Sequence, residues 1–273
     1  MPPDPSSRHG ILDPHAGEGR FTLTRHDPAP ALAAVVERHW IVRWDLRDRP
    51  PFEQETLPFP CVNLVFGSHR PGVHGVCTDR FVARLEGQGW VVGTKFRPGG
   101  FRRFVDVAIA ELTDRVIAID AAFGGDGAAV DRAVHAAPDD AARLRLVTEL
   151  LVARGRRDAD DATALAVRAV ELARTDPAIG RVADLAAQVG VPVRGLERIF
   201  RSHVGVPPKW VIRRFRVQEA AARVADGAPA DWAALAHDLG YFDQAHFIRD
   251  FRAQIGRTPA EYAARCAAAR RGP

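Results

Sequence analysis

Two short stretches near the end of the chain carry side chains suited to reading a nucleic-acid groove. The first presents Arg194, Glu197, Arg198 and Arg201, spaced three and four apart so that they share one side of a helix. The second presents Gln244, Ala245, His246 and Arg249, with Arg252 one turn further on. Arginine can bond guanine O6 and N7 with both arms of its fork, glutamine can bond adenine N6 and N7, and alanine can touch a thymine methyl. Glutamate accepts from cytosine N4, so Glu197 would help at that base alone. Helix-surface arginines also contact phosphate, or nothing but water. The spacing supplies a face, and the elements around it must decide its use.

Those elements occur twice. LAAQVGVPVRGLERIFRSHVGVPPKWV runs from Leu185 to Val211, and LAHDLGYFDQAHFIRDFRAQIGRTPAEY from Leu235 to Tyr262. Leu185, Ala186 and Gly190 match Leu235, Ala236 and Gly240 at an offset of fifty. One extra residue enters the second turn, after which Leu196, Arg198, Phe200, Gly205 and Pro208 match Phe247, Arg249, Phe251, Gly256 and Pro259 at fifty-one. Such repetition fixes architecture before any single residue is interpreted. Val182, Leu185, Ala186 and Val189 form one apolar stripe, and Trp232, Leu235, Ala236 and Leu239 form its counterpart. A glycine then ends each first helix. The second helices turn Leu196, Ile199 and Phe200, or Phe247, Phe251 and Ile255, inward. Asp243 is placed to cap its helix, and Pro192 sits near the start of the other. Two helices joined by a short glycine-containing turn predict a helix-turn-helix, here in tandem.

The pattern G-x-P-x-R-x-L-x-R-x-F, G-x-x-P, a linking helix, G-Y-x-D-Q-x-H-F-x-R-x-F and G-x-T-P-x-x-Y resembles the DNA-binding domain of AraC/XylS-type transcriptional regulators, from about Pro177 to Arg265. That resemblance implies one long linker helix, Lys209 to Asp226, holding two recognition helices in successive major grooves of double-stranded DNA. It places the base-reading residues at Arg194, Glu197, Arg198, Gln244, Ala245, His246 and Arg249. Phosphate contacts are expected from Arg201, Lys209, Arg213, Arg214 and Arg252. The chain departs from the family at Pro192, where a serine is usual, and at Val211, where an aromatic is usual. Gly195 lies inside the first recognition helix, at a cost of about 1 kcal/mol relative to alanine.

Charge is unevenly placed. From Asp176 onward fifteen Lys/Arg face ten Asp/Glu, a net +5, which leaves the preceding 175 residues at −1. Between Arg194 and Arg216 there are seven basic residues and one acidic residue, the footprint expected of phosphate contact with strong salt dependence. The high arginine content of the whole chain is a competing cause. Cys61, Cys77 and Cys266 form no CxxC pair and no metal-ligand cluster with histidine, which favours a reduced, intracellular, cytoplasmic protein. His69, His74 and Cys77 are too irregularly spaced for a metal site, and no cofactor is expected. No run approaches the length of a membrane span.

The first half reads differently. Trp40, Val42, Trp44 and Leu46 alternate as in a strand, and short apolar runs follow at Cys61 to Phe66, Gly72 to Val76, Phe81 to Leu85 and Trp90 to Phe96. From Glu111 onward helix formers dominate, in LTDRVIAI, in Asp139 to Gly155 and in Ala162 to Arg174. The fold class expected is α+β: a β-barrel-like, cupin-like domain with helices, then an all-α tandem helix-turn-helix domain. The organisation expected is a disordered tail over 1–18, a β-rich sensor or dimerisation domain over 19–155, a helical linker over 156–176, the DNA-binding domain over 177–265 and a tail over 266–273. W-x-V-x-W, L-P-x-P-C-V-N-L-V-F and G-x-K-F-R-P-G-G-F are similar to stretches in N-terminal domains that precede this module in a subgroup of regulators.

In related regulators such a barrel binds a small effector or mediates dimerisation. Effector candidates are Asn63, a polar residue inside an apolar strand, and Lys95 and Arg97 of the KFRPGGFRR loop, whose cations and glycines could hold an anion. A structural hydrogen bond at Asn63, and a loop that packs Phe96, Phe101 and Phe104 inward, are the plainer readings. Further partners expected are RNA polymerase and a second copy of the chain. The competing function class is an enzyme, such as a cysteine-dependent DNA-repair domain targeted by the helix-turn-helix. Cys61 in its apolar run reads instead as a buried structural thiol.

Overall fold

The computed structural model describes residues 10–13, 16–125, 127–155, 160–227 and 231–271. The strands are β1 (Thr22–His26), β2 (Val36–Leu46), β3 (Phe52–Thr56), β4 (Asn63–Gly67), β5 (Gly72–His74), β6 (Phe81–Leu85), β7 (Gly87–Phe96) and β8 (Val116–Ile117). Helices α1 (Ile119–Phe123), α2 (Gly127–Ala136) and α3 (Asp140–Arg154) follow. Six strands pair antiparallel in the order β1-β2-β7-β4-β5-β8, and β3 pairs with β6 in a second sheet.

Side-chain alternation decides what each face of the large sheet meets. Trp44, Leu46, Val65 and Val91 face Leu85 of β6 and the partly buried Phe52 of β3. Ile41, Leu64, Phe66, Val92 and Phe96 turn to the other side, where α1, α2 and α3 cover them with Phe123, Val134 and Leu151. Trp40 pairs with Gly93 and Trp44 with Gly89 across β2 and β7. A Cβ on either glycine would come within 2.1 or 2.3 Å of the indole, so only glycine admits the two tryptophans there. Beyond β7, Phe96, Phe101, Phe104 and Phe123 pack mostly edge to face, with the Phe101–Phe104 pair tilted and centroids 4.9 to 6.1 Å apart.

The helical half comprises α4 (Asp161–Thr175), α5 (Val182–Val189), α6 (Val193–Ile199), α7 (Pro208–Asp226), α8 (Trp232–Asp238), α9 (Gln244–Ile255) and α10 (Pro259–Arg271). A β-rich domain followed by a helical one is the α+β organisation expected. Aspartates start three of these helices, and α3 before them: Asp139, Asp160, Asp231 and Asp243 accept from backbone N–H groups of α3, α4, α8 and α9.

Several boundaries differ from expectation. LTDRVIAI is not helical throughout, because Val116 and Ile117 form β8 against β5. The stretch 10–13 is no tail: Ile11 bridges to Thr56, while Leu12 and Asp13 are buried against the helical half. Residues 1–9 and 14–15 of that expected tail lie outside the described residues. Helix α4 is more than a linker, since Ala166, Ala169, Val170 and Ala173 belong to the core of the first helix-turn-helix. Residues 156–159 of the expected linker are not described. At the other end α10 runs to Arg271 with Cys266 fully buried, so 266–271 continue the fold.

Candidate nucleic-acid interface

The two repeat copies fold into the same local device. In the first, the amide of Val191 donates to the Ala186 carbonyl at 3.1 Å; in the second, Tyr241 donates to Ala236 at 2.9 Å. Gly190 and Gly240, beside these bonds, sit at φ 75° and 72°, in the left-handed region where a side chain is strained. Leu185, Ala186, Val189, Leu196 and Phe200 are buried in the first unit. Leu235, Ala236, Leu239, Phe247 and Phe251 are buried in the second. The two second helices end differently. After α6 the chain widens into a π-helical turn over Phe200–Val204, closed by Gly205 N–H on the Phe200 carbonyl, whereas Gly256 closes α9 on Arg252 with ordinary spacing.

Each unit leaves one helix face in solvent. Arg194, Glu197, Arg198 and Arg201 are all exposed along α6 and the turn that extends it. On α9, Gln244, Ala245, Arg249 and Arg252 are exposed. His246 is half-exposed, with its Nε2 3.7 Å from the Asp250 carboxylate. Phe242, the extra residue of the second turn, stands 95% exposed directly before the cap Asp243. The one-residue slip between the copies was the signal that could have drawn attention to it.

Helix α7 overturns part of the expected phosphate grip. Of its cations, Lys209 is exposed. Arg214 is 0% exposed, stacked over Trp210 at 4.4 Å, and donates through Nη2 to the Thr78 carbonyl of the β-rich domain. It therefore faces the other domain, not a duplex. Burial pushes its guanidinium down to about 10, so it remains charged at neutral pH. Arg213 is bound through Nε and Nη2 to the buried carboxylate of Asp250 on α9. Arg216 donates to the Gly240 and Ile179 carbonyls at 3.2 and 3.3 Å and so joins the two units. Three of the seven basic residues between Arg194 and Arg216 are thus engaged within the fold.

Nearly every side of α7 is covered. Val211, Ile212 and Phe215 enter the first unit, and Val217, Ala220, Ala221 and Val224 enter the second. Gln218 donates to the Leu57 carbonyl at 2.7 Å. The β-rich domain also holds the end of the second helix of each unit. Thr113 Oγ1 donates to the Gly205 carbonyl at 2.7 Å. Arg257, beyond α9, grips Glu55 with two bonds of 2.7 and 2.9 Å, and Arg80 donates to the Ile255 carbonyl.

The effector candidates are only partly brought together. Asn63 and Lys95 are directly paired across β4 and β7. Lys95 is 8% exposed, places Nζ 2.9 Å from Glu37, and lies 3.8 Å over the Phe59 ring, so its charge is already matched. Asn63 donates to Cys61 Sγ at 3.7 Å. Arg97 stands apart, donating to the Ala33 carbonyl at 2.9 Å. The buried Cys61 thiol is pushed up to about 11 by desolvation, which is the reverse of what a nucleophile needs. Among the described residues no group of His, Cys, Asp and Glu is arranged to hold a metal, and no helix is long and apolar enough to cross a membrane.

Comparison with known proteins divides the chain in the same way. Residues 24–118 match a family described as Domain of unknown function (DUF6597), and residues 185–265 match the family described as Helix-turn-helix domain. Over 75 residues the chain is 32% identical to the HTH-type transcriptional activator RhaS of Pectobacterium atrosepticum, covering 28% of this chain and 26% of that protein. The chain therefore matches about a quarter of that curated relative's length. Among solved structures, a transcriptional regulator with an AraC-type DNA-binding domain from Chromobacterium violaceum is 24% identical, covers 39% of this chain and 95% of its own, and gives a TM-score of 0.36. ToxT from Vibrio cholerae is 12% identical, with 90% and 97% covered and a TM-score of 0.38. Residues 185–265 thus match a helix-turn-helix domain, and the curated relative that this part resembles is named a transcriptional activator.

Proposed function

We propose that this chain is a sequence-specific transcription regulator of AraC/XylS type, whose α6 and α9 enter successive major-groove segments about one helical turn apart. The observation that carries this reading is the duplicated unit itself, with the same turn hydrogen bond and left-handed glycine, each followed by an exposed polar helix face. Arg194, Glu197 and Arg198 read one block of bases, and Gln244, Ala245, His246 and Arg249 read the other. Arg201, Lys209 and Arg252 hold phosphates and fix the register. The grip of α7 on DNA is reduced to Lys209, because Arg213 and Arg214 are engaged within the protein.

The β-rich domain modulates this reader through a small-molecule effector. Support comes from the contact chain that links Lys95 to the Phe59 ring, and Phe59 to Phe215 of α7 at 5.9 Å. An effector that disturbs the Lys95–Glu37 pair would act on the helix that spaces the two readers. RNA polymerase and a second copy of the chain complete the partners in this reading. The test is selection of the full-length protein on random duplexes, sequenced at two salt concentrations. Two short enriched blocks about one turn apart are expected, with affinity falling steeply as salt rises. Salt-sensitive binding that enriches no motif would refute sequence reading.

A further inference from the structure

Among the described residues, the exposed ring of Phe242 has no structural task. It is the residue by which the second turn is longer than the first: Tyr241 matches Val191 at an offset of fifty, and Asp243 matches Pro192 at fifty-one. At 95% exposure it is by far the most exposed large apolar side chain among the described residues, followed by Val152 at 50%. Its neighbours are fully committed. Tyr241 turns inward against Phe247, with centroids 5.4 Å apart, and Asp243 caps α9 by accepting from the His246 amide at 2.6 Å. The ring is therefore held outside the core at the N-terminal tip of the recognition helix, immediately before Gln244 and Ala245.

We infer that Phe242 is a further base-contacting residue, which packs its ring against a thymine C5-methyl in the major groove. This inference rests on the proposed reading of α9 as a recognition helix. The N-terminal residues of such a helix are the ones that reach base edges, and thymine offers the only apolar group on the major-groove edge of the bases. An apolar ring gains nothing from a phosphate, so its contribution is to specificity and not to salt-dependent grip. The first unit has no such ring, since the matching turn is one residue shorter and runs from Val191 directly to Pro192. The two blocks of the operator should therefore differ in kind: the one under α9 carries a thymine requirement that the one under α6 lacks.

The experiment uses the full-length protein and the duplex it selects from a random pool. Each thymine in both blocks is replaced singly by deoxyuridine, which removes the methyl and keeps every hydrogen-bonding group. For the wild-type protein one replacement in one block should weaken binding about fourfold, the equivalent of one buried methyl. Phe242→Ala should bind the thymine duplex more weakly by at least that factor and lose the discrimination at that position. Phe242→Leu should keep part of it. Equal thymine-to-deoxyuridine ratios for wild type and Phe242→Ala would overturn the inference while leaving the two-block motif, and so the reader, intact. Failure of the wild type to enrich any motif would remove the reader and this contact with it. Since Phe242 touches no core, the thermal melt of the alanine variant should match the wild type, and a lowered melt would itself contradict the picture of a free ring.

Discussion

A guanidinium without solvent exposure must be held by what surrounds it, and Arg214 is held by the Trp210 ring and the Thr78 carbonyl. Arg214→Met keeps the volume but leaves that carbonyl without its donor, so it should lower unfolding free energy by about 1–3 kcal/mol. It should leave the slope of log affinity against log salt unchanged, whereas Lys209→Ala or Arg201→Ala should reduce that slope by about one. A reduced slope for Arg214→Met would show that the side chain reaches phosphate after all. His39 offers a second residue-scale prediction. It is 2% exposed, its Nδ1 lies 2.8 Å from Thr94 Oγ1, and burial, with a smaller push from His26, lowers its pKa to about 4. The neutral ring is favoured in the fold, so this stabilisation is complete above the ordinary value near 6.5 and is lost as pH falls toward 4. Between pH 7 and pH 5 the loss should be roughly 2 kcal/mol. Denaturant titrations at the two pH values give the loss, and the His39 ring signal followed by NMR should titrate near 4; titration near 6.5 would sink the argument.

Among the elements, α7 and α9 are joined by the ion pair of Arg213 with Asp250, whose carboxylate side chain is 4% exposed against 43% for the arginine. That asymmetry sets the outcome of truncation. Arg213→Ala strands a buried carboxylate and should cost about 3 kcal/mol, while Asp250→Ala frees an arginine that can turn to water and should cost less. The reverse order in chemical denaturation would mean that the pair is not desolvated as the structure has it. The same elements show what a one-dimensional pattern can reveal. Glycine position, apolar spacing and the single slip made both helix-turn-helix units legible, because those features are set within a few residues of one another. The inward turn of Arg213 and Arg214 was not legible, because it depends on Asp250 and Thr78, which are remote in sequence. Strand β3 was missed for a related reason: FEQET reads as polar, yet Glu55 is there to meet Arg257 and Arg80. Leu12 likewise gives no local sign that the second unit's core will enclose it.

Across the whole molecule, the β-rich domain is tied to both helix-turn-helix units by Glu55, Asp13, Thr113 and the carbonyls of Leu57 and Thr78. The hydrogen bonds from Arg257 hold the Glu55 carboxyl below the usual range. Its stabilisation is therefore present above the ordinary glutamate value and is lost as pH falls through the lowered one. Glu55→Ala should cost on the order of 1–2 kcal/mol at pH 7, less than a fully buried pair because both arginines keep some solvent. It should also remove one acid-sensitive step from the stability profile, and an unaltered profile would show that Glu55 does not join the domains in solution. Such a joined frame fixes the spacing of α6 and α9, as the proposed reading of two separate blocks by two helices requires. The most direct measurement is the full binding-specificity profile of Arg198→Ala and Arg249→Ala beside the wild type, taken with the full-length protein. Each variant should relax base preference in a different block, the two blocks lying about one helical turn apart, at a cost of roughly 1–3 kcal/mol on the preferred site. Relaxation of the same block by both variants, or uniform weakening on every sequence, would contradict the account.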